Sequence, residues 1–261
     1  MSTPSSYLLT DRPSVSIIIP AYREEELVAE TITDVVARLR ETQFRFEVIV
    51  VLDSEPGDRT GYIVHKLCKR LAELRLIERS GKRGVGNAII TGFKEGKGSI
   101  FVPLMGDHSE SSVDLIKLVE NVAQGYDLSV ADRFKCGKPN GYPIPKYIAN
   151  RCFNYLVKLV FGTSFSDITN AFKAYNAQVL EQLNLSSRGF EIFAELPLKV
   201  FLMRPGVKIV SVPTQHFVRK KRFAKLSLLK GGPLYLRVAF SLLLSGLKKK
   251  KHVVRAKNMK H

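Results

Sequence analysis

Four short polar segments hold the residues able to do chemistry, and each follows a run of apolar residues. In MGDHSES (105–111), Asp107 stands beside His108 and Glu110. Carboxylates are hard oxygen donors of the kind Mg2+ or Mn2+ prefers when the ion also bridges diphosphate oxygens. Asp107 and Glu110 are therefore read as ligands of a metal site that a substrate completes, with Gly106 beside them. In LDSEPGDRT (52–60), Asp53 closes an apolar run, whereas Asp58 reads as the start of a helix. PAYRE (20–24) offers the flat ring of Tyr22 for stacking and Glu24 as an acceptor for a base or ribose. KRGVGNA (82–88) joins Lys82 and Arg83 to a glycine-containing helix entry whose backbone amides would face a phosphate.

Several other chemistries are excluded. There is no GxxxxGK[ST] and no GxGxxG, so neither a P-loop nor a dinucleotide fingerprint is present. The five histidines (65, 108, 216, 252, 261) and three cysteines (68, 136, 152) lack zinc-ligand spacing, and no GxSxG elbow occurs. An odd number of scattered cysteines and an N-terminus without a basic-then-apolar leader predict reduced thiols and a cytoplasmic chain.

The elements that must position these segments follow from periodicity. SVSIIIPAY (14–22) is a β-branched run ended by Pro20, and residues 24–40 place Leu27, Ile32, Val35, Val36 and Leu39 at helical spacing. The unit recurs: strands at 46–53, 74–79 and 100–105 precede helices at about 60–72, 84–94 and 112–122. Such alternation predicts an α/β fold with a doubly wound, mostly parallel sheet. Ligands of such sheets bind beyond the carboxyl ends of the strands, where the four polar segments fall. After DLSVADR (127–133) the alternation breaks into a Gly/Pro loop (135–145), a helix (147–162), a polar turn (166–176), a helix (189–203), a strand (207–216) and a basic loop (218–232).

With 261 residues, 45% of them hydrophobic, the chain is long enough for one large domain with its own core and excludes a disordered chain. Its charge is +17, from 41 Lys and Arg against 24 Asp and Glu, and it is unevenly placed. No acid follows Glu195, so residues 1–195 are formally neutral and the final quarter carries the whole excess. Such a surface calls for an anionic partner. The tail starts with a short apolar helix (233–247), below the ~20 residues needed to span a bilayer, and continues as KKKKHVVRAKNMKH. It fits a helix at the bilayer boundary whose lysines meet anionic headgroups, the alternative being a core helix with a solvated tail.

SVSIIIPAYREEE, VIVVLDSEPGDRT, GVGNAIITGF and VPLMGDHSESSVDL, in this order and spacing, resemble the family 2 glycosyltransferases of GT-A fold. ADRF (131–134), SDITNAFKAY, GFEIFAEL and RKKRFAKL (219–226) resemble its dolichol-phosphate mannosyltransferase-like branch, which glycosylates polyprenyl phosphates. The likeness covers about residues 14–228, leaving 1–13 as an extension and 229–261 as a basic tail for membrane association or docking on the core. It implies that Pro20, Tyr22, Glu24 and Asp53 hold the nucleoside of a nucleotide-sugar donor. It implies that Asp107 binds metal and diphosphate, that Arg133 and Arg151 face the acceptor phosphate, and that Arg219 and Lys225 close over the donor. Met105 stands where the branch often carries its first acid, and Arg222 and Ala224 replace a usual glycine and serine.

The resemblance implies inverting transfer of one sugar, dependent on Mg2+ or Mn2+, to a polyprenyl phosphate at the cytoplasmic face of a membrane. A phosphate monoester is already anionic and needs alignment rather than a general base. A hydroxyl acceptor, the alternative, would need one, for which Asp132, Asp167 or Glu191 are candidates. Glu191 and Glu195 also read as structural, through an i, i+4 pairing with Lys199. A nucleic-acid binder is disfavoured because the basic loop offers no aromatic platform beyond Phe223. A homo-oligomer or a membrane-protein partner is compatible with all of this.

Overall fold

A computed structural model describes residues 14–203, 205–217 and 231–245. Its elements run β1 (Ser14–Ala21), α1 (Val28–Arg40), β2 (Arg45–Asp53), α2 (Thr60–Cys68), β3 (Leu74–Arg79), α3 (Val85–Glu95), β4 (Ile100–Pro103), α4 (Ser112–Ala123), β5 (Leu128–Asp132), α5 (Ile144–Phe161), β6 (Lys173–Asn176), α6 (Ala177–Glu181), α7 (Ile192–Leu202) and β7 (Ile209–Pro213). A last helix, α8, spans 231–245. The seven strands form one sheet in the order β3-β2-β1-β4-β6-β5-β7. Every pairing is parallel except those of β6, which runs antiparallel between β4 and β5.

Alternation along the strands builds the two layers. Val15, Ile17 and Ile19 of β1 point into a core with Val28, Ile32 and Leu39 of α1, Val64 of α2 and Leu115 and Leu118 of α4. Ile18, on the other face, joins Ile49 and Val51 of β2, Ala88 and Ile89 of α3, Val157 of α5 and Ile192 and Leu196 of α7. Both faces are covered, which is why the central strands read as unbroken apolar runs. Local signals set the helix ends. Ser111 caps α4 by accepting from the Asp114 amide at 3.3 Å. Pro145 lies in the first turn of α5, and Gly162 ends that helix in the left-handed region at φ 67°.

The α/β, mostly parallel architecture is as the alternation predicts, with one correction. Residues 173–176 belong to a strand, where the sequence suggested the end of a polar turn. β6 has only four residues and contains Lys173, so no alternation marks it. Tertiary contacts select the strand: Lys173 Nζ donates to the Ile168 and Asn170 carbonyls, and Tyr175 is buried against Phe93. Arg219 and Lys225, the N-terminal extension 1–13 and the lysine run Lys248–Lys251 lie outside the described residues. All three cysteines are free thiols. Among the described residues no helix is long and apolar enough to cross a membrane.

Candidate active site

The parallel strands end on one edge of the sheet, and most of the predicted residues are carried there. β1 ends into Tyr22 and Glu24, β2 at Asp53, β4 leads to Gly106 and Asp107, and β5 is followed directly by Arg133. Pro20 is buried within β1, in register with Val51. Tyr22 donates its hydroxyl to Glu55 at 3.0 Å, and the guanidinium groups of Arg23 and Arg83 lie 5.6 and 5.5 Å from its ring centre. Glu24 is buried and fixed through its own amide, which donates to Thr60 Oγ1 at 2.8 Å. Asp58 holds this corner by accepting from the Thr60 amide and hydroxyl and from the Arg23 amide, so it is structural as its spacing suggested.

Each carboxylate oxygen of Asp53 accepts one hydrogen bond. It accepts from Arg79, its neighbour in register on β3, and from the Gly84 amide at 2.9 Å. This corrects the expectation that the 82–88 helix entry presents its amides to a phosphate. The Gly84 amide is used by Asp53, while those of Gly86 and Asn87 donate to the Arg188 carbonyl at 3.0 and 3.3 Å. A β-carbon at Gly86 would lie 2.6 Å from the Ser187 carbonyl oxygen, so the glycine serves a close backbone crossing. Lys82 remains exposed at the rim, with its carbonyl accepting from Asn87.

The loop after β4 separates its three notable residues. His108 adopts φ 53° and turns away, placing its ring nitrogens 3.0 Å from Glu30 and 3.3 Å from Asp34 of α1. Asp107 is half-buried and accepts from the Ser109 amide at 3.3 Å. Glu110 is buried, and burial together with the nearby Asp107 charge pushes its carboxyl up to about 8. Among the described residues no three His, Cys, Asp or Glu side chains are grouped to hold a metal ion. Two hard-oxygen donors whose charges repel fit Mg2+ or Mn2+ that takes its remaining ligands from a substrate.

On the far side of the cleft the sequence-predicted arginines come together on one ring. The guanidinium carbons of Arg133 and Arg151 lie 5.1 and 5.9 Å from the centre of Phe134. Arg133 is clamped: Nε and Nη2 donate to the two oxygens of Asp167 at 2.8 and 2.9 Å, and Nη2 also reaches Thr169 at 3.0 Å. Arg151 is exposed. Two further residues belong here that sequence reading missed. Lys146, in the first turn of α5, sits 5.4 Å over the Tyr142 ring, and burial and the Arg133 charge hold its ammonium below the usual lysine range. His216 stacks edge-on with Tyr142 at 5.8 Å, and burial and Arg133 lower it to about 4. Asp107, Arg133, Lys146 and Asp167 all act electrostatically on His216, which brings their charges into its neighbourhood. No local spacing signals Lys146 or His216; they arrive from α5 and from the segment after β7 by tertiary contact.

The candidate bases and paired acids are otherwise committed. Asp132 accepts from Ser166 and the Phe134 amide, Asp167 from Arg133, and Glu191 from the Arg188 and Gly189 amides. Glu195 binds Lys199 at 2.6 Å and the Ser186 and Ser187 amides, the structural alternative raised by its spacing.

The chain is similar to characterised proteins along most of its length. It is 28% identical over 215 residues to a dolichol-phosphate mannosyltransferase of Pyrococcus furiosus, covering 81% of this chain and 59% of the relative. It is 28% identical over 221 residues to a polyprenol monophosphomannose synthase of Mycolicibacterium smegmatis, covering 81% and 80%. The chain thus spans under two thirds of the P. furiosus protein. A crystal structure of Mycobacterium tuberculosis glucosyl-3-phosphoglycerate synthase superposes with a TM-score of 0.67 at 18% identity, covering 91% of this chain and 82% of that one. One such structure, at TM-score 0.66, holds Mn2+, uridine diphosphate and phosphoglyceric acid. At that identity the likeness establishes the GT-A architecture alone. The family model described as glycosyl transferase family 2 matches residues 16–183, and the chain belongs to that family.

Proposed function

We propose that the protein transfers one sugar, with inversion, from a nucleotide sugar to a polyprenyl phosphate at the cytoplasmic face of a membrane, using Mg2+ or Mn2+. The observation that supports this reading is the grouping of Arg133, Lys146 and Arg151 around the Phe134 and Tyr142 rings, with the Asp107 charge acting on Lys146 and His216. One side suits a cation-bridged diphosphate and the other an anion. The names of the P. furiosus and M. smegmatis relatives support the same acceptor class.

A bound divalent cation supplies charge neutralisation for the departing diphosphate, and Asp107, backed by Glu110, would hold it. The chain's own residues do the rest. Lys82 at the rim, with Arg219 and Lys225 of the basic segment, attract the negative charge that grows on the leaving group. Lys146 and Arg151 bind the acceptor phosphate, while Arg133, fixed by Asp167, sets the field around it. A phosphate held this way attacks the anomeric carbon from the side opposite the diphosphate, which inverts the configuration. A hydroxyl nucleophile would need a proton acceptor, and Asp132, Asp167 and Glu191 are each engaged in other hydrogen bonds. That engagement favours the anionic acceptor over a soluble, hydroxyl-directed enzyme.

The test is a transfer assay with a panel of nucleotide sugars and a short polyprenyl phosphate, with and without EDTA. Metal-dependent formation of a polyprenyl phosphosugar is expected. Transfer to sugar or glycerate hydroxyls with none to the lipid phosphate would overturn the reading.

A further inference from the structure

Among the described residues Lys173 is the only lysine that is fully buried. It lies on β6 in register with Val130 of β5, and Ala171 and Tyr175, two residues to either side, belong to the apolar core. Burial brings its ammonium down to about 7, with Asp167 and Asp132 favouring the charge and Arg133 opposing it. A lysine is almost never enclosed in this way without partners. Here the partners are main-chain groups: Nζ donates to the Ile168 carbonyl at 3.1 Å and to the Asn170 carbonyl. Both carbonyls belong to the short segment 166–170. Its other alternate residues, Asp167 and Thr169, serve Arg133: Asp167 takes Nε and Nη2, and Thr169 Oγ1 accepts from Nη2 at 3.0 Å. The rest of the segment is tied to α5 and β5. The Ile168 amide donates to Asn154 at 3.1 Å, the Thr169 hydroxyl to Asn150 at 3.2 Å, and the Asn170 side chain to the Ala131 carbonyl at 2.9 Å. The Ile168 and Asn170 carbonyls are left for Lys173.

We infer that Lys173 is a positioning residue for the transfer reaction: by holding the Ile168 and Asn170 carbonyls it sets the segment that presents Asp167 and Thr169 to Arg133, and so fixes where the Arg133 guanidinium stands. The inference deepens the proposed function and rests on its assignment of Arg133 to the acceptor side. Lys173 is enclosed, so its influence passes through this segment alone. A methionine of similar length would leave both carbonyls without a donor in an apolar core, and the segment would shift to satisfy them. Asp167 and Thr169 would shift with it. A two-pronged arginine–carboxylate pair depends on the alignment of its two parallel bonds, so a small displacement of Asp167 turns the guanidinium.

The experiment uses the full chain as wild type, Lys173→Met, Arg133→Lys and the double variant, each assayed well below its unfolding midpoint. With a short polyprenyl phosphate, Lys173→Met is expected to raise the acceptor KM about tenfold and leave the donor KM unchanged. In the Arg133→Lys background the same substitution should add less than about twofold, because the fork it serves is already gone. An equal rise in both backgrounds overturns the inference, since Lys173 would then act by another route. Lys173→Gln keeps one donor for the carbonyls and is the variant to use if methionine prevents folding; it should show a smaller rise, again confined to the acceptor. No rise overturns the inference. A second readout needs no acceptor. The Nε–H proton of Arg133, identified by NMR through its loss in Arg133→Lys, should exchange with solvent on the order of tenfold faster in Lys173→Met or Lys173→Gln, while the amides of β1 and β2 keep their protection. Unchanged exchange overturns the inference as well. If the wild-type protein transfers to no lipid phosphate, the proposed function fails, and the role of Lys173 is decided by the exchange rate alone.

Discussion

Arg133 and Asp167 form a two-pronged pair closed on itself: the guanidinium grips both carboxylate oxygens while the Arg133 amide donates to one of them at 3.0 Å. The Asp167 side chain is fully buried and that of Arg133 is 9% exposed. Burial opposes the charge on Asp167, but the Arg133 charge outweighs it and holds the carboxyl below the usual range. Asp167→Ala would strand a buried guanidinium, and a loss of about 3–5 kcal/mol is expected in urea unfolding. Arg133→Lys keeps the charge but lacks the fork, so it should show a smaller loss than Asp167→Ala.

Asp107→Ala removes the carboxylate facing the cationic wall. Donor turnover is expected to fall roughly 10²–10³-fold or more, the scale of losing one preorganised charge-stabilising group. Circular dichroism and the unfolding midpoint should stay near wild type because Asp107 is half-buried and lies in a loop.

Lys146→Met keeps the length of the side chain over Tyr142 and deletes its charge. Among the described residues no carboxylate lies within ion-pair distance of Lys146, so the fold does not depend on its ammonium. The expected result is a rise of about tenfold or more in the acceptor KM, equal to ~1.4 kcal/mol, with the donor KM unchanged. A donor defect of equal size would place Lys146 on the wrong side of the cavity.

Glu195 supplies a pH test of stability. Burial works against its charge, yet Lys199 and the hydrogen bonds from Ser186 and Ser187 together bring the carboxyl down to about 2. A lowered carboxyl stabilises the fold at pH values above its ordinary ~4.3, and that contribution disappears as pH falls toward the folded value. Unfolding free energy should therefore drop by roughly 3 kcal/mol between pH 5 and pH 2 from this group alone. Glu195→Gln should flatten that part of the curve and lower stability at pH 7.

The first half of the fold is legible in the sequence because β1, β2 and β4 are apolar runs buried over most of their length and each of β1 to β4 is followed by a helix. Asp53 and Asp107 are legible for the same reason: each lies at or just beyond the end of such a strand. β6 is not, since its four residues gain their conformation from being laid between β4 and β5. The amides of the 84–87 turn look available in sequence because their partners, Asp53 and Arg188, are 31 and 102 residues away along the chain. Lys146 and His216 escape notice likewise; a lone lysine after a proline and a lone histidine after a strand carry no spacing signal. Their membership depends on Tyr142, which both of them contact.

One small tie has a mechanical outcome. Glu110 and His216 make an isolated antiparallel bridge, and the Phe217 amide donates to the Ser109 carbonyl at 2.9 Å. The chain is therefore pinned to the Asp107 loop one residue before position 218, and it is pinned again at α8 by Tyr235. The thirteen residues between hold six Lys or Arg and no acid. Any shift of the Asp107 loop is therefore passed to the end of β7 through His216 and Phe217.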